Sequence, residues 1–196
     1  MAVHGRPIPL QKSRGLAVAG AGAASGLIGS LAVSALILLG ERVAGLPVGT
    51  FYLMLVSAIS QAQDYNMYAI VQGLLLHLIA GTAIGLAIST PFAVSRRAYA
   101  SLGRFAPAYG LAAGALVWAA LFVPVTYGTM VPLMQSLDGR SVIDQHSPIG
   151  ELFRIAVSDM LAMMDRIVYT ALAFNMLFGL VALVLTRAFS EAAIGR

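Results

Sequence analysis

GLAVAGAGAASGLIGSLAVSALILLG, residues Gly15 to Gly40, carries no charge across 26 residues. A hydrocarbon core of about 30 Å takes roughly 20 apolar residues in a helix. This stretch is therefore long enough to cross one. Asn66 to Thr90 is equally apolar and contains one ionisable group, His77. Pro107 to Met130 contains none, and Ile167 to Thr186 has Asn175 as its most polar residue. No stretch alternates with period two over a strand's length, which argues against a membrane β-barrel. The expected fold is all-α, an integral membrane bundle with spans at about 15–40, 66–90, 107–130 and 167–186.

Composition agrees with that reading. Of 196 residues, 59% are hydrophobic and 10% are charged. A soluble domain carries about 25% charged residues, so too few charges are present to cover a water-facing surface. A soluble enzyme, a nucleic-acid-binding domain and a disordered chain are excluded. Cysteine is absent, which removes disulfides, zinc–thiolate sites and thiol nucleophiles. Arg6, Lys12 and Arg14 before the first apolar run resemble a secretory signal, with Ala17-Val18-Ala19 as the cleavage site. The run is longer than the roughly 7–15 residues of a signal's apolar region, so it reads as a retained helix.

The pI near 9.8 reflects topology. With the N-terminus in the cytoplasm, the inner segments hold Arg6, Lys12, Arg14, Arg96, Arg97, Arg104, Arg187 and Arg196 against one acid, Glu191. The outer segments hold Arg42, Arg140, Arg154 and Arg166 against seven acids. Lysine and arginine concentrate on the cytoplasmic side of membrane proteins. The expectation is a multi-pass protein of the cytoplasmic membrane with both termini inside. Nucleic acid is not needed to explain the basic balance.

Two segments complete the single membrane domain. AGLPVGTFYLMLVSAISQAQ, residues 44–63, is apolar but interrupted by Pro47 and Gly49. If it crossed, Arg96, Arg97 and Arg104 would be carried outside. A half-inserted or interfacial helix over about 50–61 is the economical reading, shielded by protein. Before the fourth span, Ser147-Pro148 opens an amphipathic outer helix over about 148–166. Its apolar face would comprise Ile149, Leu152, Phe153, Ala156, Met160 and Met163.

Three GxxxG pairs, Gly22/Gly26, Gly81/Gly85 and Gly110/Gly114, all fall in the cytoplasmic half. Small residues let helix backbones approach closely in lipid. Convergence there would leave the outer half wider, with room for the 50–61 helix, and Pro124 would favour a bend toward it. Generic packing of Ala/Gly-rich helices is the alternative reading.

Polar groups at depth are few. His77 and Asn175 lie near the midplane, where ionisable groups are functional suspects. A hydrogen bond between the two, or to a backbone carbonyl, is the plainer expectation. Eight of nine methionines lie in the outer half, with Met130/Met134 and Met160/Met164 spaced M-x-x-x-M. Thioethers favour Cu(I), so these four are candidate copper ligands. They equally suit adaptable packing. The outer acids Asp138, Asp144, Glu151, Asp159 and Asp165, with His146, read as a solvated face. No catalytic residues are assigned: nothing assembles an acid, a base and an oxyanion site.

The stretches LPVGTFYLMLVSAI (46–59), YAIVQGLLLHLIAGTAIGLAIS (68–89) and YGLAAGALVWAALFVPVTYGTMVPLM (109–134) resemble a group of small four-helix membrane proteins of ammonia-oxidising archaea. More distantly they resemble the uncharacterised YagU-like inner-membrane proteins of bacteria. The shared pattern is P-x-G-T-F-Y (Pro47 to Tyr52), a histidine (His77) before G-T-x-I-G (Gly81 to Gly85), and a late proline in the third span (Pro124). The likeness covers about half the chain. It implies no established activity. It implies a non-catalytic accessory subunit of a larger membrane complex, of which an ammonia-type copper membrane monooxygenase is one candidate. The expected partners are other membrane subunits and lipid, with bound lipids and no cofactor, copper at the four methionines being the alternative. A small oligomeric transporter or channel for a metal ion or neutral solute is the alternative.

Overall fold

A computed structural model describes residues 9–60, 67–138 and 157–195. The Ser147-Pro148 helix start, the Asp144-x-His146 pair and Glu151 lie outside the described residues. Among those described, every regular element is helical. Helix α1 spans Pro9–Val43, α2 Thr50–Ser60 and α3 Met67–Val94. Helix α4 starts at Arg96–Val117 and continues without a break to Val131–Asp138. Residues 157–162 form a short helix, and α5 runs Met164–Ile194.

Four helices are long and apolar enough to cross a membrane. The chain is an all-α, multi-pass membrane protein. The 11 residues of α2 rise only about 16 Å at 1.5 Å each, too little to cross. In contrast, the apolar stretch of α4, Arg96–Ser136, counts 41 residues, about 60 Å on the same rise and twice the hydrocarbon thickness.

Pro124 does not break α4. It has no N–H to donate and its ring crowds the preceding turn. The helix accommodates it by widening into two π-helical turns, Trp118–Phe122 and Thr126–Met130, on either side of Val123–Val125. π-Turns inside α-helices re-aim side chains and recur at functional sites.

The packing order is α3 on α1, α1 on α5, and α5 on α4, with α3 touching α4 more lightly and α2 laid on α3. At the end bearing Arg14, Arg96, Arg97, Arg104 and Arg187, here the basic end, backbones nearly touch. A Cβ on Gly26 would stand 2.8 Å from Gly85 Cα and would also strike Gly81 O. One on Gly110 would stand 2.6 Å from Gly179 O, and one on Gly114 2.6 Å from Met176 Cα. No side chain fits in such gaps. Neighbouring hydroxyls spend their hydrogens on their own helices: Ser25 donates to Ala21 O at 2.6 Å, Ser30 to Gly26 O at 2.8 Å and Thr186 to Ala182 O at 2.7 Å. They therefore pack as small residues without an unsatisfied donor.

The helix-to-helix turn at this end is fixed by Ser95, whose hydroxyl caps α4 by accepting from Ala98 N at 3.3 Å. Arg187 Nε pairs with Glu191 Oε1 at 3.0 Å while its Nη1 donates to Gly103 O. Tyr99 Oη lies 3.1 Å from Ser190 Oγ. Below them Val18, Leu102 and Leu183 bury completely or almost so in one apolar cluster.

Candidate functional site: the hollow half of the bundle

The opposite end is built differently. The buried stripe of α3 runs Ala69, Gly73, Gly81, Gly85, Ser89 and Phe92, near a four-residue step. The missing member of that series is His77. Below it α1 presses glycine to glycine; at and above it the helices separate, and a cavity of about 640 Å³ opens between α1, α3, α4 and α5. Ligand pockets commonly measure about 300–1,000 Å³.

Helix α2 lies at this end, and Leu46, Phe51 and Leu55 line the cavity there. Its placement starts from Glu41. The chain leaves α1, turns through Gly45 (φ +75°) and Gly49 (φ +96°), and reverses into α2. The Glu41 carboxylate reaches over the turn and accepts hydrogen bonds from Gly49 N and Phe51 N, both at 2.6 Å. Helix N-termini expose such unpaired amides with a positive partial charge. Here an acid from the preceding helix satisfies them. Hydrogen bonds to a charged group are worth about 1.5–3 kcal/mol each, so Glu41 is the chief polar anchor of α2. Thr50 Oγ1 adds a bond to Pro47 O at 2.5 Å. Gly49 is needed twice: for its left-handed φ, and because a Cβ would meet Ile70 Cγ2 at 2.7 Å. Gly73 matters similarly, since a Cβ there would run into the carbonyl of Tyr52.

The apolar side of α2 carries Leu53, Met54 and Val56 into a core with Met130, Met134, Val157 and Met160, against which Met164 packs. The four methionines nominated as copper ligands thus meet in one region. Their neighbours there are apolar side chains, among them Leu53, Val56, Ala69 and Ile70, surroundings that suit gap-filling thioethers. Among the described residues, no group of three or more His, Asp or Glu is placed to share a metal.

His77 sits under the first turn of α2. Its ring meets Phe51 edge-on at 6.1 Å between centroids and Tyr52 at 5.9 Å. Such T-shaped contacts are favoured by the ring quadrupoles. His77 Nε2, Tyr52 Oη and Ser34 Oγ are all buried without a hydrogen-bond partner. Tyr52 Oη and Ser34 Oγ approach each other, outside good hydrogen-bond geometry. Asn175, on α5, faces the same cavity as His77. Of the two bonds expected, the one between the side chains is not made, and the one to a backbone carbonyl is: Asn175 Nδ2 donates to Ala171 O in its own helix, at 2.8 Å. The helices are held apart by the cavity at this level, so neither side chain reaches across.

Comparison with family models, with curated proteins and with solved structures finds no match. The site is therefore judged by its chemistry alone. Only two of its lining residues are charged, Glu41 and Arg166. Both carboxylate oxygens of Glu41 are engaged by the amides of α2. Ser30 donates within its helix. What remains is a largely apolar chamber with His77, Thr126, Thr170 and Asn175 as isolated polar points. It can hold and orient a mostly apolar molecule.

Sequence reasoning did not find Glu41, Gly73, Gly179 or the cavity itself. Gly179 has no glycine four residues away, so the GxxxG pattern passes over it. Glu41 precedes Arg42 at a helix end and reads as a surface pair. The one available signal was Gly49-Thr50: a glycine before a short apolar helix lacking an acidic first turn needs a cap from elsewhere.

Proposed function

We propose that this chain binds a small, mostly apolar molecule within the membrane and acts as its carrier or transporter. The observation that carries this reading is the cavity of about 640 Å³ roofed by α2, in a bundle whose other half excludes even a Cβ between its helices. Binding sites between helices of a bundle are a recurrent arrangement. The positive-inside rule puts the basic end in the cytoplasm, so the cavity opens in the outer half and both termini are cytoplasmic. Native mass spectrometry of the protein ejected from its own membranes tests the reading. The wild type should retain a small molecule that Thr170→Trp, which fills the cavity, does not. Equal adducts on both proteins, or none on either, would overturn it.

A second reading is the accessory subunit of a larger membrane complex, with a copper membrane monooxygenase as one host. The lipid-facing character of α4 favours it: only 11% of its apolar window is buried within the chain, against 39% for α1. A neighbouring subunit would find its largest free helix surface there. Stoichiometric co-purification with other membrane proteins in gentle detergent, lost on bulky substitution at Leu116 or Leu121, would support this reading; isolation as a lone chain would sink it.

A further inference from the structure

We infer that the cavity holds one long hydrocarbon chain ending in a carboxylate, tail toward the basic end and head at Arg166. This rests on the proposed intramembrane binding and specifies its ligand.

The cavity is long. Along α1 the lining residues are Ser30, Val33, Ile37, Gly40, Glu41 and Ala44, a single helix face whose ends are 14 residue steps apart. That is about 21 Å at 1.5 Å per residue. The space is an elongated, largely apolar slot, and a long hydrocarbon chain matches that length and lining. On α5 the lining face runs from Arg166 to Phe178, so two helices follow the slot for most of its length.

Polarity changes along the slot. Gly81, Ile84 and Phe178 line it toward the basic end, and both charged residues sit toward the α2 end. Glu41 is saturated by Gly49 N and Phe51 N. The guanidinium of Arg166, an exposed residue, makes no hydrogen bond or ion pair with the described residues. An unpaired guanidinium beside an apolar slot selects a carboxylate, which it can bind in bidentate fashion. Midway, Asn175 gives one amide hydrogen to Ala171 O, and His77 Nε2 is buried without a partner, so the slot's middle carries two polar points between its apolar walls.

The test uses the full chain in phosphatidylcholine nanodiscs. The probes are a long-chain fatty acid and the matching fatty alcohol, each with a terminal diazirine, and labelled residues are mapped by peptide mass spectrometry. The expected result is saturable labelling near Ile84 and Phe178 by the acid, with the alcohol about fivefold weaker. Arg166→Gln should bring the acid down to the alcohol's level, and Arg166→Lys should restore most of the difference. Equal labelling by acid and alcohol, unmoved by Arg166→Gln, would overturn the head-group assignment and leave the cavity reading standing. Terminal-diazirine labelling at Met163 and Ile167 would overturn the orientation. Should neither probe label the lining above lipid-facing Leu76 and Leu116, both the inference and the proposed function fall. If Arg166→Gln does not fold, the wild-type comparison of acid with alcohol decides.

Discussion

The two halves of the bundle use the same helices under opposite packing rules. At the basic end, Gly22 and Gly26 lie on Gly81 and Gly85, and Gly110 and Gly114 on Gly179, so backbone meets backbone. At the α2 end the same helices carry Ile37, His77, Phe122 and Phe174 and stand apart around a cavity. Lipid supplies no hydrophobic drive for helix association, and close contact must supply it. The solid half therefore holds the fold together. The hollow half is free to hold something else, provided that α2 is anchored, and Glu41 anchors it.

The largest effect should come from breaking the solid half. Gly26→Leu places a side chain where the Gly81 carbonyl and Gly85 Cα already stand, and neither is a flexible atom. Overpacking typically costs about 1–3 kcal/mol and more where backbone must move, so loss of at least about 3 kcal/mol in detergent-titrated unfolding is expected. An unchanged unfolding curve would show that the glycine contact is dispensable.

Next comes the anchor of the roof. Glu41→Ala leaves two amides of α2 without their acceptor, at about 1–3 kcal/mol each for a buried unsatisfied group. The loss should be local. Amide hydrogen exchange over Phe51 to Ile59 should accelerate strongly while α1, α3, α4 and α5 keep their protection. Uniform acceleration throughout the chain would show that α2 and the bundle are one cooperative unit.

His77→Leu probes the boundary between the halves. The wild-type ring buries an Nε2 that has no partner. Replacing an unsatisfied polar group by an apolar one of similar size is close to neutral or stabilising. A change within about 1 kcal/mol is expected in unfolding. A much larger loss would reveal a bond that holds α2 to α3 through this ring. Smallest of all is Met134→Leu in the core beneath α2, a near-isosteric exchange worth under about 1.5 kcal/mol. It should leave the stability of the protein insensitive to added copper(I). A copper-dependent stabilisation abolished by this exchange would mark the thioether cluster as a metal site.

The sequence was most legible where length and spacing carry the information. Apolar runs of membrane length mark four crossing helices, and Pro47 with Gly49 marks the short one. The GxxxG pairs of α1 and α3 meet because a stripe of small residues is a property of one helix that sequence spacing reports directly. Partnering is less legible. Gly110 and Gly114 rest on Gly179 and on the backbone of Asn175 and Met176, and no pattern within α5 announces that. His77 and Asn175 share a cavity as their depths suggest, yet each is engaged by its surroundings and not by the other. The cavity itself is a place where side chains fail to meet. Individual residues do not encode that; it follows from glycine at one end and bulk at the other.

The contrast between the halves is most directly tested by measuring one pair of variants together. Gly26→Leu and Thr170→Leu each add bulk to a transmembrane helix, the first at the glycine contact and the second facing the cavity. Their unfolding should be followed in the same detergent titration. Thr170→Leu should stay within about 1 kcal/mol of the wild type because the cavity accepts the added carbons, while Gly26→Leu loses several times as much. Equal losses would mean that the half beneath α2 is as tightly packed as the basic end, and that it holds no space for a ligand.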